Sequence, residues 1–287
     1  MSAPRPSREI AARSWSAAAI GRAATLALHD ELALAPKPGL VSFIDSGSHD
    51  DMDAHTFMRS LLALRSYFVR IAELGSRHAP FEQLERCGID AESRMLAATG
   101  GVNTHRGAIF MLGLLCAAAA AVQADGAPLT AETLRAALQR QWGDALRQRC
   151  ARPPCLSGGL AARRHGLRSA SQEAALGLPV LFETAVPAWV DARARGLAGT
   201  RLQLQVFFET LAELDDSNLA HRGGMDGLKF ARGQARAFLW RGGAARAGAL
   251  DDAWSIHRAF VARRLSPGGC ADTLSAACFL DRLGAIA

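Results

Sequence analysis

Residues 105–124 read HRGAIFMLGLLCAAAAAVQA. From Ala108 to Val122 the stretch carries no charge and is rich in alanine and leucine, both strong helix formers. The run is about 15 residues, shorter than the roughly 20 needed to span a bilayer, so it predicts a buried helix and no membrane association.

The rest of the chain supplies neighbours for that helix. Apolar residues recur at three- and four-residue spacing in one segment after another. Helices are expected at 10–34, 53–74, 81–98, 105–124, 130–148, 169–176, 180–195, 201–214, 224–240, 250–265 and 271–283. Pro36, Pro38 and Gly39 stop the first, and Gly100-Gly101 stops the third. Thr130, with Glu132 close behind, has the form of an N-cap followed by an early acid. The Pro- and Gly-bearing stretch 151–166 reads as a long loop, and Val41–Ile44 is the best strand candidate. The expected fold is all-α: one multi-helix bundle over residues 10–287, its site on inter-helix loops, behind a loose tail at residues 1–9.

The 33 Lys and Arg exceed the 27 Asp and Glu, giving a formal net charge of +6 that favours anionic partners. The arginines are dispersed, and the single tyrosine leaves no basic-aromatic stacking platform, so a phosphorylated small molecule fits better than nucleic acid. The N-terminus shows no apolar signal segment, which predicts a cytoplasmic protein with reduced thiols. Cys150 and Cys155 are a weak metal or redox pair, because no other Cys or His pair completes a zinc set.

Four polar, glycine-bearing patches interrupt the helices. The first runs from Lys37 and Gly39 to Asp45, His49, Asp50, Asp51 and Asp53. Clustered carboxylates need a cation among them, and an oxygen-rich set suits Mg²⁺. Taken alone, exposed acids before a helix read more readily as N-caps. The second holds Asn103, His105 and Arg106 at the start of the most apolar helix, where free backbone N–H groups favour an anion. The third holds Asp215, Asp216, Asn218, Arg222, Gly223 and Gly224, and also reads as a plain surface turn. The fourth is Ser266-Pro267-Gly268-Gly269, with Asp272 shortly after. No GxxxxGK[ST] is present, so this is not a P-loop protein.

Five stretches carry a family resemblance: PKPGLVSFIDSGSHDDMDAHTFMRS (36–60), GVNTHRGAIFMLGLL (101–115), CLSGGLAARRHGLRSASQEAALGLPVLFETAVPA (155–188), LDDSNLAHRGGMDGLKFAR (214–232) and SPGGCADTLSAACFL (266–280). Together they resemble the triphosphoribosyl-dephospho-CoA synthases, accessory proteins of citrate lyase and malonate decarboxylase. The first and third look most like the malonate decarboxylase branch. Arg106 stands where the family often has lysine.

The resemblance implies a pentosyltransferase reaction. ATP and 3′-dephospho-CoA would give 2′-(5-triphosphoribosyl)-3′-dephospho-CoA and adenine, the precursor of a decarboxylase prosthetic group. The β-linked ribose becoming α-linked implies one inverting displacement at an oxocarbenium-like carbon. On this reading Asp53, Asp216 and His105 are catalytic, with Asp216 or Asp53 as base. Lys37, Gly39, Asn103, Arg106, Asn218, Arg222, Gly223 and Gly224 bind substrate, and Asp45, Asp51 and Asp215 hold Mg²⁺. A homodimer and transient contact with the holo-acyl-carrier synthase pathway fit the same reading. The alternatives are the same reaction serving citrate lyase, a nucleotide glycohydrolase on a similar scaffold, and a non-enzymatic adaptor for an acyl carrier.

Overall fold

The computed structural model describes residues 15–286. The expected tail at residues 1–9, and the start of the first helix at Ile10, lie outside them. Among the described residues twelve α-helices follow in order: α1 (Ala17–Ala33), α2 (Ala54–Ser76), α3 (Phe81–Thr99), α4 (Arg106–Ala124), α5 (Ala131–Cys150), α6 (Ser157–His165), α7 (Ala170–Ala175), α8 (Val186–Ala194), α9 (Gly199–Glu213), α10 (Ser217–Trp240), α11 (Ala249–Ala262) and α12 (Gly268–Leu283). Among the described residues there is no strand.

Helix α4 is the hub, packed by α1, α2, α3, α5 and α12. At 19 residues it is long and apolar enough to cross a membrane, yet 72% of its most apolar window is buried among its neighbours. Its apolar surface is covered by protein, as expected of a core helix. Glycines let the helices approach closely. A Cβ at Gly75 of α2 would lie 2.2 Å from the Ala117 carbonyl oxygen of α4. Tyr67 of α2 spends its hydroxyl on the Ile109 carbonyl of α4 at 2.8 Å, satisfying a buried polar group.

Helix starts follow the capping residues. Asp53 caps α2, and Ser169 with Gln172 closes a capping box on α7. Thr130 caps α5 as expected, but its reciprocal partner is Thr133.

Three expectations are corrected and one is refined. Val41–Ile44 is not a strand: Ser42 N–H donates to the Asp45 carbonyl at 2.9 Å in a tight loop, with Phe43 and Ile44 exposed. The stretch 151–166 contains helix α6, whose Gly158 and Gly159 allow contact with Ser217 and Pro154. Residues 180–194 are helical throughout but open with a π-helical turn, Val180–Ala185. Pro187 offers no N–H to the ladder, and the turn widens just before it. Helix α10 begins at Ser217, seven residues before the expected start, and Gly224 breaks it internally with φ 62° and ψ −164°.

Candidate active site

The N-termini of α2, α4, α10 and α12 are joined by direct contacts. Ser60, in the second turn of α2, lies 2.6 Å from His105 Nδ1 at the head of α4. Gly107 of α4 lies against Asp272 of α12, so closely that a Cβ there would fall 1.9 Å from Asp272 Oδ2. Asp216, capping α10, accepts the Cys270 N–H of α12 at 3.0 Å. The first patch joins them: Ser48 donates to the Leu265 carbonyl at 2.6 Å, and His49 Nε2 lies 2.8 Å from Ser266 Oγ. The structure therefore gathers all four sequence patches.

Beside this junction runs a narrow cleft of about 90 Å³, whose walls include Gly107, Arg168, Asp215, Asp216, Gly269 and Asp272. Carboxyl oxygens of Asp216 and Asp272 take the helix-start N–H groups of Asn218, Leu219, Cys270 and Ala108, so the cleft wall presents carboxyl groups, suited to a reacting centre that gains positive charge. A larger cavity of about 430 Å³ is lined by Asp30, Trp189, Arg193, Asp281 and Arg282. Its charges are already matched as Arg282–Asp30 and Arg193–Asp281 pairs. The cleft, smaller but carrying an uncompensated carboxyl at Asp272, is the better seat for chemistry.

The expected catalytic residues occupy three different environments. Asp216 is buried, and its Oδ1 accepts the Asn218 and Leu219 N–H groups at 2.9 and 3.2 Å. Burial raises its carboxyl above the ordinary range, against the pull of those backbone donors. Asp53 is exposed and accepts from Thr56 N and Oγ1, both at 2.8 Å, which holds its carboxyl below the usual range. His105 is buried edge-on to Phe57, and burial with the nearby Lys37 charge pushes it down to about 3. It is therefore a neutral imidazole at working pH. Its Nε2 has no partner among the described residues.

The expected ligand-binding residues divide. Arg222 reaches the first patch, donating to the Ser48 carbonyl at 2.8 Å and touching His49 at 3.2 Å. Asn218 lies under Gly268, where a Cβ would meet its Nδ2 at 2.7 Å. Gly39, at φ 70°, lies against the Leu265 carbonyl, and Gly223 against the Leu265 side chain. These two glycines are packing residues. Asn103 accepts the Arg106 N–H at 3.2 Å, and Arg106 pairs with Glu92 at 2.6 Å.

Lys37 sits furthest from the setting expected of it. Expected at a phosphate, it is buried, donates to the Glu31 carbonyl at 2.7 Å and pairs with the Glu31 carboxylate. Its ammonium seals the end of α1.

Asp45, Asp51 and Asp215 do not form the expected metal set. Asp45 faces His257 at 3.2 Å, Asp51 faces His49 at 3.5 Å, and Asp215 pairs with Arg232 at 2.7 Å. Among the described residues no three His, Cys, Asp or Glu side chains gather to hold a metal ion. Cys150 and Cys155 are free thiols.

Sequence reasoning passed over Asp272, Arg168, Glu173 and Ser60 as site residues. Asp272 carried a signal, its place just after Gly268-Gly269. Ser60 carried none.

The fold and cleft define an all-helical enzyme whose carboxylate-lined site sits where helix N-termini meet. The profile of the ATP:dephospho-CoA triphosphoribosyl transferase family matches residues 17–287, and the chain belongs to that family. It is 38% identical over 261 residues to the 2-(5″-triphosphoribosyl)-3′-dephosphocoenzyme-A synthase of Pectobacterium atrosepticum, covering 87% of this chain and 84% of that one. It is 36% identical over 257 residues to a probable synthase of the same name from Acinetobacter calcoaceticus, covering 90% and 88%. A probable synthase from Azotobacter vinelandii is 38% identical over 285 residues, covering 98% and 94%. No solved structure matches the chain. The activity is transfer of the triphosphoribosyl group of ATP to dephospho-CoA.

Proposed function

We propose that this transfer takes place in the cleft between α4, α10 and α12, and that its product serves malonate decarboxylase. One observation carries the placement: the cleft is where buried carboxyl groups and helix N-termini meet on an accessible wall. Its narrowness suits entry by the sugar end of the nucleotide, with the triphosphate along the rim near Arg168.

The 2′-hydroxyl of dephospho-CoA attacks the ribosyl carbon in one inverting displacement. No phosphorus bond changes, so the phosphates need binding without activation. Carboxylates stabilise the positive charge that grows on the sugar. Neutral His105 is suited to hydrogen bonding with sugar or base and not to pairing with phosphate as a cation.

Magnesium enters this reading as part of the substrate, held by the triphosphate and water, since Mg²⁺ commonly keeps waters and bridges phosphates. The malonate assignment rests on the Ser42–Phe57 and His165–Ala188 segments, which resemble that branch. The free cysteines suit a reducing cytoplasm.

Ala170, exposed on the cleft wall, gives the test. Ala170→Trp should block the cleft without disturbing the core, and adenine release from ATP plus dephospho-CoA should collapse. Unaltered kcat and KM would move the site elsewhere. Adenine formed equally without dephospho-CoA would favour hydrolysis over transfer. For the pathway, deleting the gene in its own host should abolish holo-malonate decarboxylase and spare citrate lyase.

A further inference from the structure

Five carboxyl groups line the cleft: Glu173, Glu213, Asp215, Asp216 and Asp272. Four are committed. Glu173 pairs with Arg168 at 2.8 Å and accepts the Val180 N–H at 2.6 Å. Glu213 faces Arg236 at 3.6 Å, and Asp215 pairs with Arg232 and accepts the Arg168 N–H at 3.1 Å. Asp216 is tied to three backbone N–H groups.

Asp272 differs. It has no cationic partner among the described residues and faces only the Ala108 N–H at the head of α4. Its carboxyl is pressed against Gly107, the one residue type that leaves it room there.

Resting on the cleft as the reaction site, we propose that Asp272 donates the proton that lets adenine leave. Burial raises its carboxyl well above the ordinary range, and the charges of Glu31 and Asp216 push the same way. A carboxyl that holds its proton more tightly than its paired neighbours is the arrangement general-acid catalysis uses.

The step balances as follows. The bond between ribosyl C1′ and adenine N9 breaks, and its electron pair goes to the purine. The Asp272 proton moves to a ring nitrogen of the same purine. The acceptor 2′-oxygen bonds to C1′ and loses its proton to water, from which Asp272 is reprotonated. Asp272 thus fills the leaving-group role, which the sequence reading gave to no residue.

Asp272→Asn is nearly isosteric and keeps an acceptor for the Ala108 N–H. The test compares ATP with the 5-triphosphate of 4-nitrophenyl β-ribofuranoside, whose leaving group departs without protonation. The variant should lose about 100-fold or more in kcat on ATP and only a few-fold on the nitrophenyl substrate. Equal losses on both, or no loss on ATP, would overturn the proposal. The pH profile decides independently: wild-type kcat on ATP should fall on the alkaline side as Asp272 ionises, and the variant's residual rate should lack that limb. An unchanged limb in the variant also overturns it. The Ala170→Trp result stands apart, because blockage affects both substrates whichever residue supplies the proton.

Discussion

Asp216 and Cys270 lock two helix starts together: one oxygen of the Asp216 carboxyl caps α10, and the other accepts the Cys270 N–H of α12 at 3.0 Å. An aspartate so placed acts first as an architectural group. Asp216→Ala should therefore destabilise the protein by about 2 kcal/mol or more, from a lost cap and buried N–H groups left bare. Asp216→Asn keeps one acceptor but turns an amide donor toward a backbone donor, and should cost about 1 kcal/mol or more. Urea denaturation reads both. A variant with Asn that unfolds like wild type but no longer releases adenine would return the catalytic role to Asp216.

Gly107 leaves the Asp272 carboxyl its space. A methyl group there would lie 1.9 Å from Oδ2, so the carboxyl must move. Alanine is also a better helix former than glycine by about 1 kcal/mol. Gly107→Ala should thus leave stability within about 1 kcal/mol of wild type, because propensity offsets the local strain. Its kcat should fall at least about tenfold, the scale of a misplaced catalytic group. Wild-type turnover in this variant would mean that the position of Asp272 is irrelevant to the reaction.

His105 gives a pH signature of the opposite sign to a histidine held in an ion pair. Its folded pKa, about 3, lies below that of a free imidazole, so the unfolded chain binds the proton more readily. Stability from this group is complete above roughly pH 6.5 and declines as the pH falls toward 3, by at most ~1.4 kcal/mol per pH unit. His105→Gln should flatten that acid limb relative to wild type in paired denaturation curves at pH 7 and pH 5. Parallel curves would mean that His105 titrates normally.

The hub of the fold was legible because α4 has a one-letter signature: an uncharged alanine-rich run bounded by Gly107 and Asp125. Helix α6 was hidden by Pro153, Pro154, Gly158 and Gly159, residues that break helices in isolation and are tolerated here by close contacts. The four patches were visible as interruptions, and the structure does gather them. Their internal partners were not visible. Lys37 looked free for phosphate because Glu31, six residues earlier, stands on a helix whose end the proline turn folds back upon. Asp272 was given no role because its meaning depends on Gly107, a neighbour only after α4 and α12 pack. Local chemistry is written in sequence, whereas the pairing of buried charges is decided by packing.

The dispersal of Asp45, Asp51 and Asp215 bears on how magnesium takes part. Each is engaged with a basic side chain, His257, His49 and Arg232 respectively. A resident ion would have to break those pairs and dehydrate, a step Mg²⁺ resists unless phosphate oxygens compensate. The protein dialysed against chelator should therefore show no binding heat with Mg²⁺ alone and no change in melting temperature. With ATP present, velocity should follow the concentration of the magnesium–ATP complex and not that of free metal. Arg232→Gln separates the two possibilities further: releasing Asp215 from its cation should leave the magnesium requirement unchanged if the ion arrives on the nucleotide. Tight Mg²⁺ binding by the nucleotide-free wild-type protein would show instead that the acids rearrange into a site of their own.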